Sequence, residues 1–412
     1  MNISQWALVL LGVQLVVVLL SVAFSYPFIA SAFSYRRAIE KGRRGIASAP
    51  STRFCVLIPA RDEGKNVSRL LESLSRQSYP KDLYEVYLIV EDKDDLAIKL
   101  ALDHGFGYLI RDVVNPGFVP TKGGALDEAI KALRPWESYE AVVVFDADDW
   151  VTDNFLAEMD RLYKEGKAVG VGRRIYPNRG TDVLAGCGAL ISMGQANIMA
   201  FGLTPYGPTV VTGTGYFVRS SLLERFRGYP WQGLTEDMML TNYCHAVGIP
   251  MGLSLDALVF DKQTTSLRMA HRQHVRWIWG YMAAKGLKSH VRMRPFAWWA
   301  DRIGVGPFVV AVVVGLAVFL SLLLAMTFGL IMGVGNPALL VSLPICSFMV
   351  IYLMFLGLAV LEFHCEPDND VDFGMKLIQV IAFPLCFADL VVAFFHGLLV
   401  PRLRKTWTRI ER

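Results

Sequence analysis

Residues 141–149 read Ala-Val-Val-Val-Phe-Asp-Ala-Asp-Asp. A short apolar run rich in β-branched residues fits a buried strand over Ala141–Phe145. It stops abruptly in Asp146, Asp148 and Asp149. Three acids directly after an apolar strand are costly unless something compensates them. Asp146 and Asp148 form an Asp-x-Asp pair that presents two carboxylates on the same side. A hard divalent cation, Mg²⁺ or Mn²⁺, takes such oxygen donors together with substrate phosphates. A helix N-cap cluster is the plainer alternative.

The same pattern occurs twice upstream. Phe54–Pro59 is a short apolar strand followed by Ala60-Arg61-Asp62-Glu63-Gly64, and Tyr84–Val90 is a second followed by Glu91-Asp92-Lys93-Asp94-Asp95. Helical stretches alternate with these strands: Asn66–Gln77, with Leu70, Leu71 and Leu74 on one face, then Ala97–His104 and Ala125–Leu133. The alternation predicts an open α/β sheet with right-handed crossovers, which binds ligands at the carboxyl ends of its strands. The acidic clusters fall at those ends.

Three more segments carry candidate chemistry. Lys122-Gly123-Gly124 offers a cation for phosphate and glycines that permit close backbone approach before a helix, or a simple turn. Thr235-Glu236-Asp237 precedes a helical run, Met238–Ala246, and reads either as a cap with first-turn acids or as a general base for an acceptor hydroxyl. Gln273-His274-Val275-Arg276-Trp277 supplies a guanidinium fork that matches phosphate oxygens and an indole face for a sugar ring, or an interfacial amphipathic helix.

The chain has 412 residues, 53% hydrophobic and 19% charged, with a net charge of +4. That charge excludes bulk nucleic-acid binding, which wants a basic stripe and a higher pI. The shortage of charge sits in blocks. Trp6–Phe33 is too long for a signal-peptide core and reads as a membrane helix, within a segment 1–35. A basic linker, 36–52, carries Arg36, Arg37, Lys41, Arg43 and Arg44 and places the following domain, 53–262, in the cytosol. Residues 263–303 read as interfacial amphipathic helices, 304–400 as about three membrane segments (304–332, 337–361, 377–400) and 401–412 as a basic tail. One cytosolic domain between one and three helices puts the tail outside, against the positive-inside bias. The Pro-interrupted run 377–400 is therefore a candidate for a re-entrant or interfacial position. The C-terminal runs carry almost no charge, which disfavours a transporter or inert scaffold. The six cysteines have no paired spacing and read as single buried thiols.

Taken in order, Pro-Ala-Arg-Asp-Glu (59–63), Lys-Gly-x-Ala-Leu (122–126), Asp-Ala-Asp (146–148), Gly-Thr-Gly (213–215), Thr-Glu-Asp (235–237) and Gln-x-x-Arg-Trp (273–277) resemble membrane-integrated family 2 glycosyltransferases. That group includes the synthases of cellulose, hyaluronan, chitin-like oligosaccharides and poly-N-acetylglucosamine. The resemblance implies a GT-A-like, Rossmann-like α/β cytosolic domain plus an α-helical transmembrane region. It implies a UDP-sugar donor, a saccharide or lipid acceptor and surrounding membrane lipids. Ala60, Glu63, Glu91, Asp92, Lys122, Asp146, Gln273, Arg276 and Trp277 would bind the donor. Asp148 with Asp146 would hold the metal. Gly213, Thr214, Gly215 and Trp277 would line the acceptor side, with Asp237 as general base beside Glu236. The reaction would invert the anomeric centre and build a polysaccharide or extend a saccharide, with a glycolipid product as the alternative. Glu91 stands where the family usually has Asp, and His274 where many polymer synthases have Arg or Gln. Secretion through so few helices would need interfacial helices, a second copy of the chain or an accessory subunit.

Overall fold

The computed structural model describes residues 49–285 apart from 94, 116, 200 and 202–209, together with 31–41, 356–366, 371–400 and a few isolated positions. Most of the N-terminal apolar run, nearly all of the first C-terminal run at 304–332, much of 337–361, residues 286–303 and the basic tail lie outside the described residues.

The sheet has eight strands: β1 (Phe54–Pro59), β2 (Tyr84–Val90), β3 (Gly107–Ile110), β4 (Ala141–Val144), β5 (Trp150–Val151), β6 (Val169–Ile175), β7 (Tyr216–Arg219) and β8 (Met251–Phe260). Their order is β3-β2-β1-β4-β7-β6-β8-β5. The first four are parallel, β7 runs antiparallel to both β4 and β6, and β8 lies parallel to β6. Alternation along β1 builds two cores. Phe54, Val56 and Ile58 face one and Cys55 and Leu57 the other, as a period of two requires. The first core is covered by α1 (Ser68–Ser75), α2 (Leu96–Asp103) and α4 (Phe155–Lys164). The second is covered by α3 (Lys122–Leu133), α6 (Ser220–Phe226) and α7 (Glu236–Val247). Helix α5 (Val183–Met193) packs elsewhere, with α10 (Phe373–Leu399) and the apolar α9 (Leu356–Cys365). Helix α8 (Leu267–Lys285) lies between α7 and α10.

The expected strands are present almost residue for residue. Two helices begin earlier than expected. Helix α3 starts at Lys122, so the glycines occupy its first turn instead of a preceding loop, and α7 starts at Glu236. Thr121 accounts for the first shift: its hydroxyl accepts the Gly124 amide at 3.1 Å and caps the helix. Of the described residues, one helix, α10, is long and apolar enough to cross a membrane. It is not interrupted, because it runs continuously through Pro384. Proline leaves a helix carbonyl without its amide partner, and here the Tyr352 hydroxyl donates to the adjacent Ile381 carbonyl at 2.6 Å. Cys55, Cys187, Cys244 and Cys365 are buried free thiols as expected, whereas Cys386 is free but only half-buried.

Candidate active site

The carboxyl ends of β1, β2 and β4 share one edge of the sheet. After β1 the chain turns sharply. Asp62 adopts a positive φ of 56° and Gly64 one of 52°. A non-glycine residue held there is strained, and such strain is concentrated at functional sites. Ala60 is buried, and its amide donates to Ile89 at 2.8 Å, tying this loop to β2. Glu63 accepts from the Asn66 amide group at 3.2 Å. Glu91, at the end of β2, is held by Arg61 at 3.1 Å and Arg111 at 3.0 Å. Arg111 is itself buried, pairs with Glu128 at 2.7 Å and lies over the Phe118 ring. Glu91 is therefore a fixed acceptor. Nothing in the local sequence around residue 91 points to Arg111, because the pairing is made by the neighbouring strand.

The second part of the site is a pit at the end of β4. The Asp146 amide donates to Thr214 at 2.9 Å, and the Gly215 amide to Val144 at 2.9 Å, which pins the Gly-Thr-Gly segment beneath the acids. Gly213 and Gly215 both have positive φ, 87° and 62°. A side chain at Gly215 would overlap Val259, and one at Gly213 would enter the pit. Lys122 crosses from α3 to Asp146 at 2.6 Å, donates to the Gly213 carbonyl and approaches Glu236 at 3.8 Å. An ideal Cβ on Gly213 would stand 3.5 Å from Asp237 Oδ2, 3.6 Å from an Arg174 nitrogen and 3.8 Å from Asp146 Oδ2.

The structure thus joins Lys122, Asp146, Gly213, Glu236 and Asp237 directly, with Ala60, Glu63, Glu91 and Asp92 along the adjoining strand ends. Gln273 is buried in α8. Trp277 packs near His274, with 5.6 Å between ring centroids. Two residues of the pit escaped sequence reasoning. Arg174 donates to Asp261 at 3.2 Å and to the Thr212 carbonyl. Arg173 and Arg174 are successive residues of β6 and face opposite sides of the sheet, Arg173 toward Glu366 and Arg174 toward the pit, while the pairing on β8 jumps from Ser254 to Leu258. An irregularity of pairing has no signature in one strand's sequence.

The electrostatics are those of crowded acids. Asp149 is fully buried and both its carboxylate oxygens lack a hydrogen-bond partner. Burial, then the charges of Asp261, Asp148 and Asp146, hold it well above the ordinary carboxylate range. Glu236 is pushed up to about 8 by burial and by Asp237, against the pull of Lys122. Asp237 is also raised by burial, while the Met238 amide, Lys122, Arg174 and Arg276 draw it back down. The pit holds more negative charge than its cations cancel, and a divalent cation fits that excess. No three His, Cys, Asp or Glu side chains close into a preformed cage among the described residues. Asp146 and Asp148 instead offer the one or two carboxylates that a magnesium-type ion takes when phosphates and water complete its shell.

The raised Glu236 has a consequence for stability. Between its ordinary 4.5 and about 8, the folded chain keeps a proton that the unfolded chain has released. Its contribution is therefore full below 4.5 and is lost as pH rises through about 8. The melting temperature of metal-free protein is expected to fall between roughly pH 4.5 and 8, and Glu236→Gln to flatten that slope. An equally steep slope in the Gln variant would contradict the assignment.

A family model described as "Glycosyltransferase like family 2" matches residues 50–280, more than half of the chain. The chain is 22% identical over 278 residues to "Probable glycosyltransferase YdaM" of Bacillus subtilis (strain 168), covering 63% of each protein. It is 26% identical over 233 residues to the "Beta-monoglucosyldiacylglycerol synthase" of Trichormus variabilis, covering 55% of this chain and 48% of that protein. The chain therefore spans between about half and just under two thirds of the length of the curated relatives it matches. Among solved structures it is similar to the mannosyltransferase PcManGT from Pyrobaculum calidifontis, in complex with GDP-Man and Mn²⁺. The TM-score is 0.59 at 16% identity, over 93% of this chain and 99% of that one. That likeness establishes the GT-A-like fold.

Proposed function

The chain belongs to glycosyltransferase family 2, and from that premise we propose that it transfers a hexose from a UDP-sugar to an acceptor hydroxyl at a membrane surface. The reaction inverts an α-linked donor to a β-linked product. The observation that carries this reading is the convergence on Gly213 of Asp237, Arg174 and Asp146, with Lys122 bridging Asp146 and the Gly213 carbonyl.

Each residue then has a task. Ala60, Glu63, Glu91 and Asp92 hold the uridine at the strand ends. Lys122 and Arg276 face the diphosphate. Gly213, Thr214 and Gly215 leave room for the acceptor, and Trp277 offers it a flat face. Asp237 takes the proton of the acceptor hydroxyl. The acceptor oxygen bonds to the anomeric carbon as the bond to the diphosphate breaks, and UDP leaves. Burial and the neighbouring Asp237 raise Glu236 to about 8, whereas the Met238 amide, Lys122, Arg174 and Arg276 draw Asp237 down, which favours the charge on Asp237. Asp146 and Asp148 would hold Mg²⁺ or Mn²⁺, whose charge offsets that of the leaving diphosphate.

The acceptor has two readings. A lipid acceptor is supported by the diacylglycerol named in the Trichormus relative and by α10, whose outer face exposes Leu377, Ile381, Leu385 and Val392. A growing polysaccharide is supported by the Gln-x-x-Arg-Trp segment. In either case the chain is an integral membrane protein with a cytosolic catalytic domain, a reading supported by α10 and by the basic residues 36–44.

The test is nucleotide release by the full chain in lipid nanodiscs across UDP- and GDP-sugars, with Mg²⁺, Mn²⁺ or EDTA. Release is expected only with metal and a UDP-sugar. Asp148→Asn is expected to lower it by about 10²-fold or more, the scale set when charge stabilisation of a leaving group is lost. Mass analysis of the product separates glycolipid from polymer. Metal-independent release, or equal release by the Asn variant, would remove the proposed role of Asp148.

A further inference from the structure

Helix α8, which carries Gln273, Arg276 and Trp277, is gripped from two sides. On the catalytic side, Gly280 lies so close to Thr235 that any side chain there would overlap the threonine methyl group. Thr235 directly precedes Glu236 and Asp237, and the charge of Arg276 reaches Asp237. On the far side α8 meets α10. His271 Nδ1 and His274 Nδ1 each lie 2.7 Å from a different oxygen of Asp389. His271 Nε2 lies 2.7 Å from His396 Nδ1. Trp279 stacks on Phe394, with 5.6 Å between centroids and 8° between planes, and covers Gly397, where a side chain would overlap its indole.

Asp389 is the only acid in a helix that is otherwise apolar but for Lys376, Gln379 and His396. A carboxylate in such a helix is expensive and is retained where it has a task. Here both oxygens are engaged, and the three-residue spacing of His271 and His274 puts both imidazoles on one face of α8. From His271 to Gly280 is about 14 Å of continuous helix at 1.5 Å per residue. A rigid rod of that length joins the Asp389 clamp to the start of α7, whose first turn carries Asp237.

We propose that Asp389 is a positioning residue: through His271 and His274 it fixes α8 in rotation and height, and so sets Arg276 against Asp237. Helix α10 thereby transmits its own placement to the first turn of α7. The kinetic part of the argument rests on the transferase reading, and the structural part does not.

The test uses the full chain in nanodiscs with Asp389→Asn, Asp389→Glu, Arg276→Ala and the Asn/Ala double variant. A displacement near 1 Å at a reacting site costs about 10²-fold. Asp389→Asn is accordingly expected to lower kcat by about 10- to 100-fold with donor KM within about threefold, and Asp389→Glu to restore part of it. The double variant is expected to be no slower than Arg276→Ala alone, because both changes remove the same interaction. Hydrogen exchange is expected to quicken at residues 271–280 and 235–238 in Asp389→Asn and to stay unchanged in α3. Wild-type kcat with unchanged exchange, fully additive losses, or quickened exchange spread across the whole domain would each overturn the proposal. If the unmutated chain turns over no donor while exchange still quickens at both segments, the positioning role stands and the transferase reading falls.

Discussion

Asp237→Asn is expected to lower sugar transfer by about 10²- to 10⁴-fold while leaving UDP affinity within a few-fold of wild type. Asparagine keeps the shape of the side chain and can still accept the Met238 amide, which Asp237 does at 2.8 Å. The helix start is therefore preserved, and what disappears is the capacity to take a proton. Burial already holds Asp237 above the ordinary carboxylate range, toward the value a base needs near neutral pH. Removing Lys122, the first side-chain charge that draws it down, should push the acid limb of the pH–rate profile to higher pH. Isothermal titration with UDP alongside a transfer assay separates the two effects. Equal losses in binding and turnover would mean that Asp237 holds the donor and is not the base.

Gly123→Ala is expected to destabilise the fold by about 1–3 kcal/mol and to reduce turnover by about 10²-fold in protein that still folds. A methyl group there would overlap the Trp231 carbonyl oxygen and stand 2.8 Å from Gln232 Cα. Both are backbone atoms and cannot turn aside. The same loop accepts a hydrogen bond from Thr121 at 2.8 Å, so the start of α3 and residues 231–232 are stitched together. Forcing them apart moves Lys122 away from Asp146 and Gly213. Thermal melting and steady-state kinetics on one preparation check both effects. A variant with wild-type melting and rate would show that the loop can shift at little cost.

The Lys-Gly-Gly segment also shows how a correct residue can carry a different reason. In sequence, the glycines suggest a phosphate approaching the backbone. In the fold, Gly123 admits the backbone of residues 231–232 and Gly124 that of Val119, which fixes the lysine between them. Glu91 behaves similarly. Its place after an apolar strand is legible, whereas its clamp by Arg61 and Arg111 belongs to strand pairing and an incoming loop. The charge-poor run 377–400 reads as a membrane or re-entrant segment, yet its one acid faces two histidines 115 and 118 residues away.

The sequence by itself determined three of the eight strands, β1, β2 and β4, the acids that follow them and the ordered motif set, because a short apolar run that ends in polar residues is a local property. It singled out Asp146, Asp148, Glu236 and Asp237 as candidates, since clustered carboxylates beside apolar segments need compensation. Only the tertiary structure decided which cations meet them. Lys122, Arg174 and Arg276 come from α3, β6 and α8, and strand pairing, a backbone contact at a glycine and a helix crossing bring them together. Those are relations between distant segments, and their free energy resides in packing that no single stretch of chain contains.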